Sequence, residues 1–191
     1  HAAAAVLLQR NESGRVRAFD EVVATDMGVF AFAPLLKQRL DGTWRDFPIG
    51  AIFGDPAGDN RAQTDEKTCF DILLAAGIQA RPANTNDVAI RLDSVSQALR
   101  RLIDGEPGFQ VHPRCTVLRK ALGGAYCYRR LDVRGEERFR DVPDKNEFSH
   151  VSDALQYGMD ALGESRALTR RPEVAGGGMR VSSSYVEWDF G

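Results

Sequence analysis

The chain has no cysteine pair at CxxC spacing; its three cysteines, Cys69, Cys115 and Cys127, are odd in number and widely separated. That pattern argues against a zinc knuckle or a disulfide framework and fits a reducing compartment. No apolar run approaches the roughly 20 residues needed to cross a bilayer, which sets membrane-spanning roles aside. The opening HAAAAVLLQR has a short apolar stretch with no basic region ahead of it, so it reads as a strand and not a signal peptide. A glycine-rich loop ending in Lys-Ser or Lys-Thr is also missing, and with it the phosphate cradle of an ATP-driven motor. Charge of either sign is not in excess. Lys and Arg total 25, Asp and Glu 27, and the net charge of −2 offers no global attraction to nucleic acid. DNA binding would have to come from local basic clusters, at Arg100-Arg101, Arg129-Arg130 and Arg166 to Arg171, each of which also reads as a solvated face when taken alone.

What is present is enough for one domain with a sizeable core: 191 residues, 43% of them hydrophobic. Strand-type runs occur at 3–8, 15–23, 49–53, 78–80, 109–112 and 126–133. Helix-type periodicity occurs at 27–40, 65–76, 87–103, 114–122 and 149–163. The first two strands flank Asn11-Glu12-Ser13-Gly14, a turn-forming cluster, so an antiparallel hairpin is the natural reading. Strand and helix then alternate, which predicts an α/β fold, a mixed sheet with helices on both faces. The domain runs over 1–172. Residues 173–191 form a Gly/Ser-rich linker and a tail whose last segment, Tyr185 to Phe190, is either a docked strand or disordered.

Two stretches carry chemistry. The first, Ile52-Phe53-Gly54-Asp55-Pro56-Ala57-Gly58, is a strand ending in an acid and a Pro/Gly loop; carboxylates at such strand ends face the crevice where α/β sheets bind ligands. Asp-Pro is also a frequent turn starter, so Asp55 has a plain structural reading as well. The second, Lys145 to Gly158, starts a helix that Ser149 can cap, with His150 and Asp153 three residues apart on one face. Such a pair can line a metal site, or it can be an acid favoured by the helix dipole beside a surface histidine. Hydrolysis of a phosphodiester by two metal ions roughly 4 Å apart needs carboxylates converging from several elements. Asp55 and Asp153 would supply two.

These stretches, together with Asp20 to Gly28, Arg61, Asp65-Glu66, Cys69 to Leu73, Arg81-Pro82-Ala83, Asn86, Arg91, Phe109 to Leu118 and Tyr126 to Arg130, resemble the large terminase subunits of tailed phages over about residues 3–160. The resemblance implies an RNase H-like nuclease that cuts concatemeric double-stranded DNA with Mg²⁺ or Mn²⁺, two ions, in the host bacterial cytoplasm. It implies a portal protein and a small terminase subunit as partners of the full-length protein. Asp55 matches the second catalytic acid and Asp153 the third, with His150 beside them as ligand or proton carrier; Asn146 and Glu147 would position the helix start. Arg61, Arg129 and Arg130 are the expected phosphate contacts. The first acid of that family stands on an opening strand, and the strand at 3–8 has none; Glu12, Asp20 and Glu21 do not match it. The expectation is therefore a domain whose opening strand is missing. Two other readings remain: a non-catalytic module docking on DNA or portal, and another RNase H-like nuclease such as a junction resolvase.

Overall fold

A computed structural model describes residues 2–59, 67–131, 138–140, 142–164 and 184–189. It is a mixed α/β structure. The strands are β1 (Ala2–Arg10), β2 (Val16–Thr25), β3 (Ile49–Gly54), β4 (Ala80–Pro82), β5 (Leu102–Ile103), β6 (Glu106–Pro107), β7 (Phe109–Val111), β8 (Arg130–Leu131), β9 (Arg138–Phe139) and β10 (Ser184–Asp189). The helices are α1 (Val29–Asp41), α2 (Cys69–Ala75), α3 (Val88–Arg100), α4 (Thr116–Lys120) and α5 (Ser149–Ala161). Six strands form one sheet in the order β4-β3-β10-β1-β2-β7.

The hairpin of β1 and β2 is closed by its own side chains. Asn11 Oδ1 accepts from the backbone N of Arg15 at 2.8 Å and from Ser13 Oγ, and Gly14 supplies the positive φ of 84° that the turn requires. β1 is buried on both sides, with Ala3, Ala5 and Leu7 in one core and Ala4, Val6 and Leu8 in the other. This is why it reads as a continuous apolar run and not an alternating one. The pairing of β1 with β2 slips by one residue at Phe19, between Leu7↔Asp20 and Leu8↔Ala18. Val16 and Ala18 therefore face one core, and Val22 and Ala24 the other.

Helices α1 and α2 cover one face, through Phe32, Ala33, Leu36 and Leu73, joined there by Trp44 and Ile78. Helices α3, α4 and α5 cover the opposite face, through Val95, Ala98, Leu118, Val151, Ala154, Leu155 and Met159. Two buried acids beside the bulge fasten these layers to β2. Asp20 accepts from the Trp44 indole at 2.9 Å on the first face. Glu21 takes the backbone N–H groups of Val117 and Leu118, at 2.7 and 2.9 Å, which α4 does not cap with a side chain of its own. Burial pushes the Glu21 carboxyl above its ordinary range, against the pull of those two backbone bonds.

Helices covering both faces, and the strands at 3–8, 15–23 and 49–53, match the sequence reading. Two segments differ. The helix expected to reach residue 103 stops at Arg100, and Leu102, 68% exposed, starts the small β5–β6 hairpin. Asp104 and Gly105, with φ of 54° and 79°, make the turn, and that local demand overrides helical spacing. The strand expected over 126–133 is mostly not a strand. A π-helical turn (Ala121–Ala125) precedes it, and only Arg130 and Leu131 pair, with Phe139 and Arg138. The opposing chain provides only isolated bonds to Cys127 and Arg129. Residues 132 and 133 lie outside the described set.

The tail resolves the alternative left open by its composition. Residues 165–183 lie outside the described residues, but β10 sits inside the sheet, antiparallel to β1 and parallel to β3. The last strand of the sequence thus lies between β1 and β3.

Trp44 and Asp20 are both almost fully buried. Replacing Trp44 by Phe leaves an Asp20 oxygen with only Arg39, 3.7 Å away. Urea unfolding should show a loss of about 1–3 kcal/mol, the cost of orphaning a buried acceptor.

Candidate active site

Asp55 is the first residue beyond β3 and is half-buried. Its Oδ1 accepts from the Ala57 backbone N at 2.8 Å, which bends the chain into the 3-10 turn Pro56–Asp59. The turn-shaping role and the strand-end position coexist, because one carboxylate oxygen is enough to make the turn. The Cys69 thiol, at the start of α2, is pushed up by burial and further by the charge of Asp55. On the other side, the ladder continues from β3 into β4, where Ala83 N donates to Gly54 O at 2.9 Å. Arg81, paired with Phe53, lays its exposed guanidinium over that ring at 4.4 Å. It puts positive charge on the rim within two residues of Asp55 in register.

Asp153 is the fifth residue of α5 and is only 4% exposed. It is therefore not a surface acid answering the helix dipole. Arg91 Nη1 donates to its Oδ1 at 3.2 Å, and Lys145 Nζ to its Oδ2 at 2.8 Å. Arg91 is itself buried and stacks on the Tyr157 ring at 4.4 Å, while the Tyr157 hydroxyl donates to Asn86 Oδ1 at 2.8 Å. Gln156 donates to the Tyr126 hydroxyl at 3.3 Å. Burial pushes the Tyr126 phenol up; Gln156 lowers it, and the Asp153 charge raises it.

His150 is half-buried, one turn ahead of Asp153. Ser149 does not cap the helix as expected. Phe148 holds the cap position without a side-chain bond, and Ser149 is the first helical residue, bonded instead to the backbone of Asn146. The physical reason lies one step earlier. Asn146 organises the entry by accepting from Phe148 N at 2.9 Å and donating to Ala125 O at 2.8 Å. That second bond fixes the root of the excursion carrying Arg129 and Arg130, both exposed, next to the start of α5. Arg61 lies outside the described residues.

The strand pairing brings a further acid to this end of the sheet. In the parallel β10–β3 register Trp188 stands opposite Gly54, so Asp189 falls level with Asp55; on the other side Asp189 pairs with Ala4. Neighbouring strands run about 4.8 Å apart, which sets the two acidic positions side by side. Helix α5 packs across β10, β1 and β3. Its far end is tied down where Arg10 Nη1 donates to Leu162 O at 2.7 Å. Arg10 ends β1, which is antiparallel to β10 and β3, so the start of α5 points back toward the end of the sheet that carries Asp55 and Asp189.

Sequence reasoning missed Asp189, although its signal was present. Tyr185 to Gly191 repeats the strand-acid-glycine pattern of Ile52 to Gly58. It also gave Arg91 no role, although a lone arginine among Ser94, Val95 and Ala98 on the buried stripe of α3 needs an acidic partner.

Carboxylate oxygens are the donors that hard divalent cations take, and the Asp55 carboxylate stands at the end of β3 with one oxygen engaged in its own turn. At Asp153 both oxygens are engaged by cationic side chains, so a metal ion there would have to displace one of them. Among the described residues, no three ligating side chains gather around one point. Among the described helices, none is long and apolar enough to cross a membrane. No protein-family model, no curated protein and no solved structure matches the chain.

Arg91 and Asp153 form a buried pair. Arg91→Ala should lower stability by about 3 kcal/mol, because it leaves a buried carboxylate leaning on an exposed lysine. In the double variant with Asp153→Asn the two costs should fall short of their sum by at least about 1 kcal/mol, as measured by chemical denaturation.

Proposed function

We propose that this chain is a divalent-metal-dependent DNA endonuclease domain of RNase H-like architecture, of the kind carried by the large terminase subunits of tailed phages. The observation that carries the reading is the register of β10, which places Asp189 level with Asp55 at the ends of two parallel strands. In the terminase family the first acid stands on a strand beside this hairpin. On this reading β10, which adjoins β1 and runs parallel to β3, would take that place. Asp189, Asp55 and Asp153 would then supply carboxylates from two strand ends and one helix, the set of donors that two-metal hydrolysis requires.

On this reading the three aspartates hold Mg²⁺ or Mn²⁺, two ions. When bound, the ions activate a water for attack and neutralise the leaving oxygen. The protein contributes positioning. Asn146 holds the start of α5, the Tyr157-Arg91 stack fixes Asp153, and His150, one turn before it on α5, would accept or deliver a proton. Arg81, Arg129 and Arg130 are exposed and suit backbone phosphates, contacts that position double-stranded DNA without reading its sequence. Binding through a few local arginines on a chain of net charge −2 should be weak, with a shallow salt dependence of about one in slope per phosphate contact. In a packaging assembly a portal protein and a small terminase subunit would be the partners.

A second reading is favoured by one observation, that both Asp153 oxygens are already neutralised by Arg91 and Lys145. It makes the domain a non-catalytic module that docks on DNA or portal. Stabilisation by Mn²⁺ in a thermal melt separates the two, because a cation that binds the folded state raises the melting temperature.

Nicking of supercoiled plasmid in Mn²⁺ is the direct test. The chain should nick, EDTA should stop it, and Asp55→Asn, Asp153→Asn and Asp189→Asn should each abolish it while keeping the wild-type circular dichroism spectrum. Normal nicking by any of the three variants would remove that residue from the site, and silence from the folded wild-type chain would favour the docking module.

A further inference from the structure

Resting on that reading, we infer that Lys145 is the resident counter-ion of Asp153, holding the oxygen that a divalent ion takes and moving to a DNA phosphate when it yields. The two cations on Asp153 are unlike. Arg91 is held from several sides, being buried, stacked on Tyr157 and bonded to Oδ1. Its planar fork is locked, so it orients the carboxylate and stays. Lys145 reaches Oδ2 at 2.8 Å from the solvent side, with 71% of its side chain exposed against 6% for Asp153. A flexible four-carbon stem ending in a point charge exchanges partners at little cost.

The arrangement also answers a physical problem of an empty site. A carboxylate as buried as Asp153 is costly with too little positive charge around it. Lys145 supplies that charge until a divalent cation replaces it, and the departing ammonium then lies beside Asn146 and the root of the Arg129-Arg130 excursion. Phosphate arriving there meets a third basic group. Lys145 is thus a positioning residue, setting the order of loading: cation first at Oδ2, phosphate next at the freed lysine.

The test is Mn²⁺ titration of the full chain by calorimetry, without DNA, for wild type, Lys145→Met, Lys145→Gln and Lys145→Arg. Removing the competing charge should tighten Mn²⁺ binding by about three- to tenfold in the Met and Gln variants, the range expected when a charge-assisted pair no longer has to be broken. Lys145→Arg, which keeps a cation in place, should stay near wild type. In Ca²⁺, the slope of log K against log salt for DNA binding should fall by about one in the Met and Gln variants. If wild type binds Mn²⁺ and neither neutral variant binds it more tightly, Lys145 is not a competitor and this inference fails alone. If wild type does not bind Mn²⁺ at all, the inference and the nuclease reading fall together.

Discussion

The structure depends on the backbone ladder that β10 makes with its two neighbours. β1 and β3 run in opposite directions, and each needs a hydrogen-bonding partner on the side where they face one another. A buried row of unpaired N–H and C=O groups is not sustainable, because each such group costs about as much as a lost hydrogen bond. β10 pairs with both, antiparallel to one and parallel to the other, and turns a hairpin and a βαβ unit into a single sheet. Helix α5 then packs over the joined strands.

That one placement has a chemical consequence. The same ladder that closes the sheet brings a strand-end acid level with Asp55, while the tether from Arg10 to Leu162 aims the start of α5 at the same edge. The acids are held by unlike means. Asp55 is shaped by its own turn, Asp189 by register, and Asp153 by a buried arginine braced on an aromatic ring. The register of β10 is what the proposed nuclease reading rests on, since it puts a second strand-end acid level with Asp55.

Much of the frame was legible because it rests on local rules. The continuous apolar run of β1 marked a strand buried on both faces, and Asn11 to Gly14 marked its turn. The strand-end position of Asp55 was legible because a strand ending in an acid and a glycine turn is a short-range signal. Asn146 was expected to organise the start of α5, and it does. The rest was written in long-range pairing. Nothing local in Tyr185 to Asp189 says that its partners are residues near 4 and near 53, so the tail was left open between a docked strand and disorder. Ser149 looked like a cap by composition, but the bonds of Asn146 settle the entry first. Arg91 was named without a role, because its acidic partner lies 62 residues away in the sequence.

The proposed nuclease site requires that Asp55 at the end of β3, the start of α5 and the end of β10 share one cation. Nuclear magnetic resonance of the labelled full chain, with Mn²⁺ added well below stoichiometry, tests it most directly. The amide signals of Asp55 to Ala57, of His150 to Asp153, and of Trp188 and Asp189 should broaden together and before the others. Broadening at only one of these three segments, or spread evenly over surface acids, would contradict a shared site.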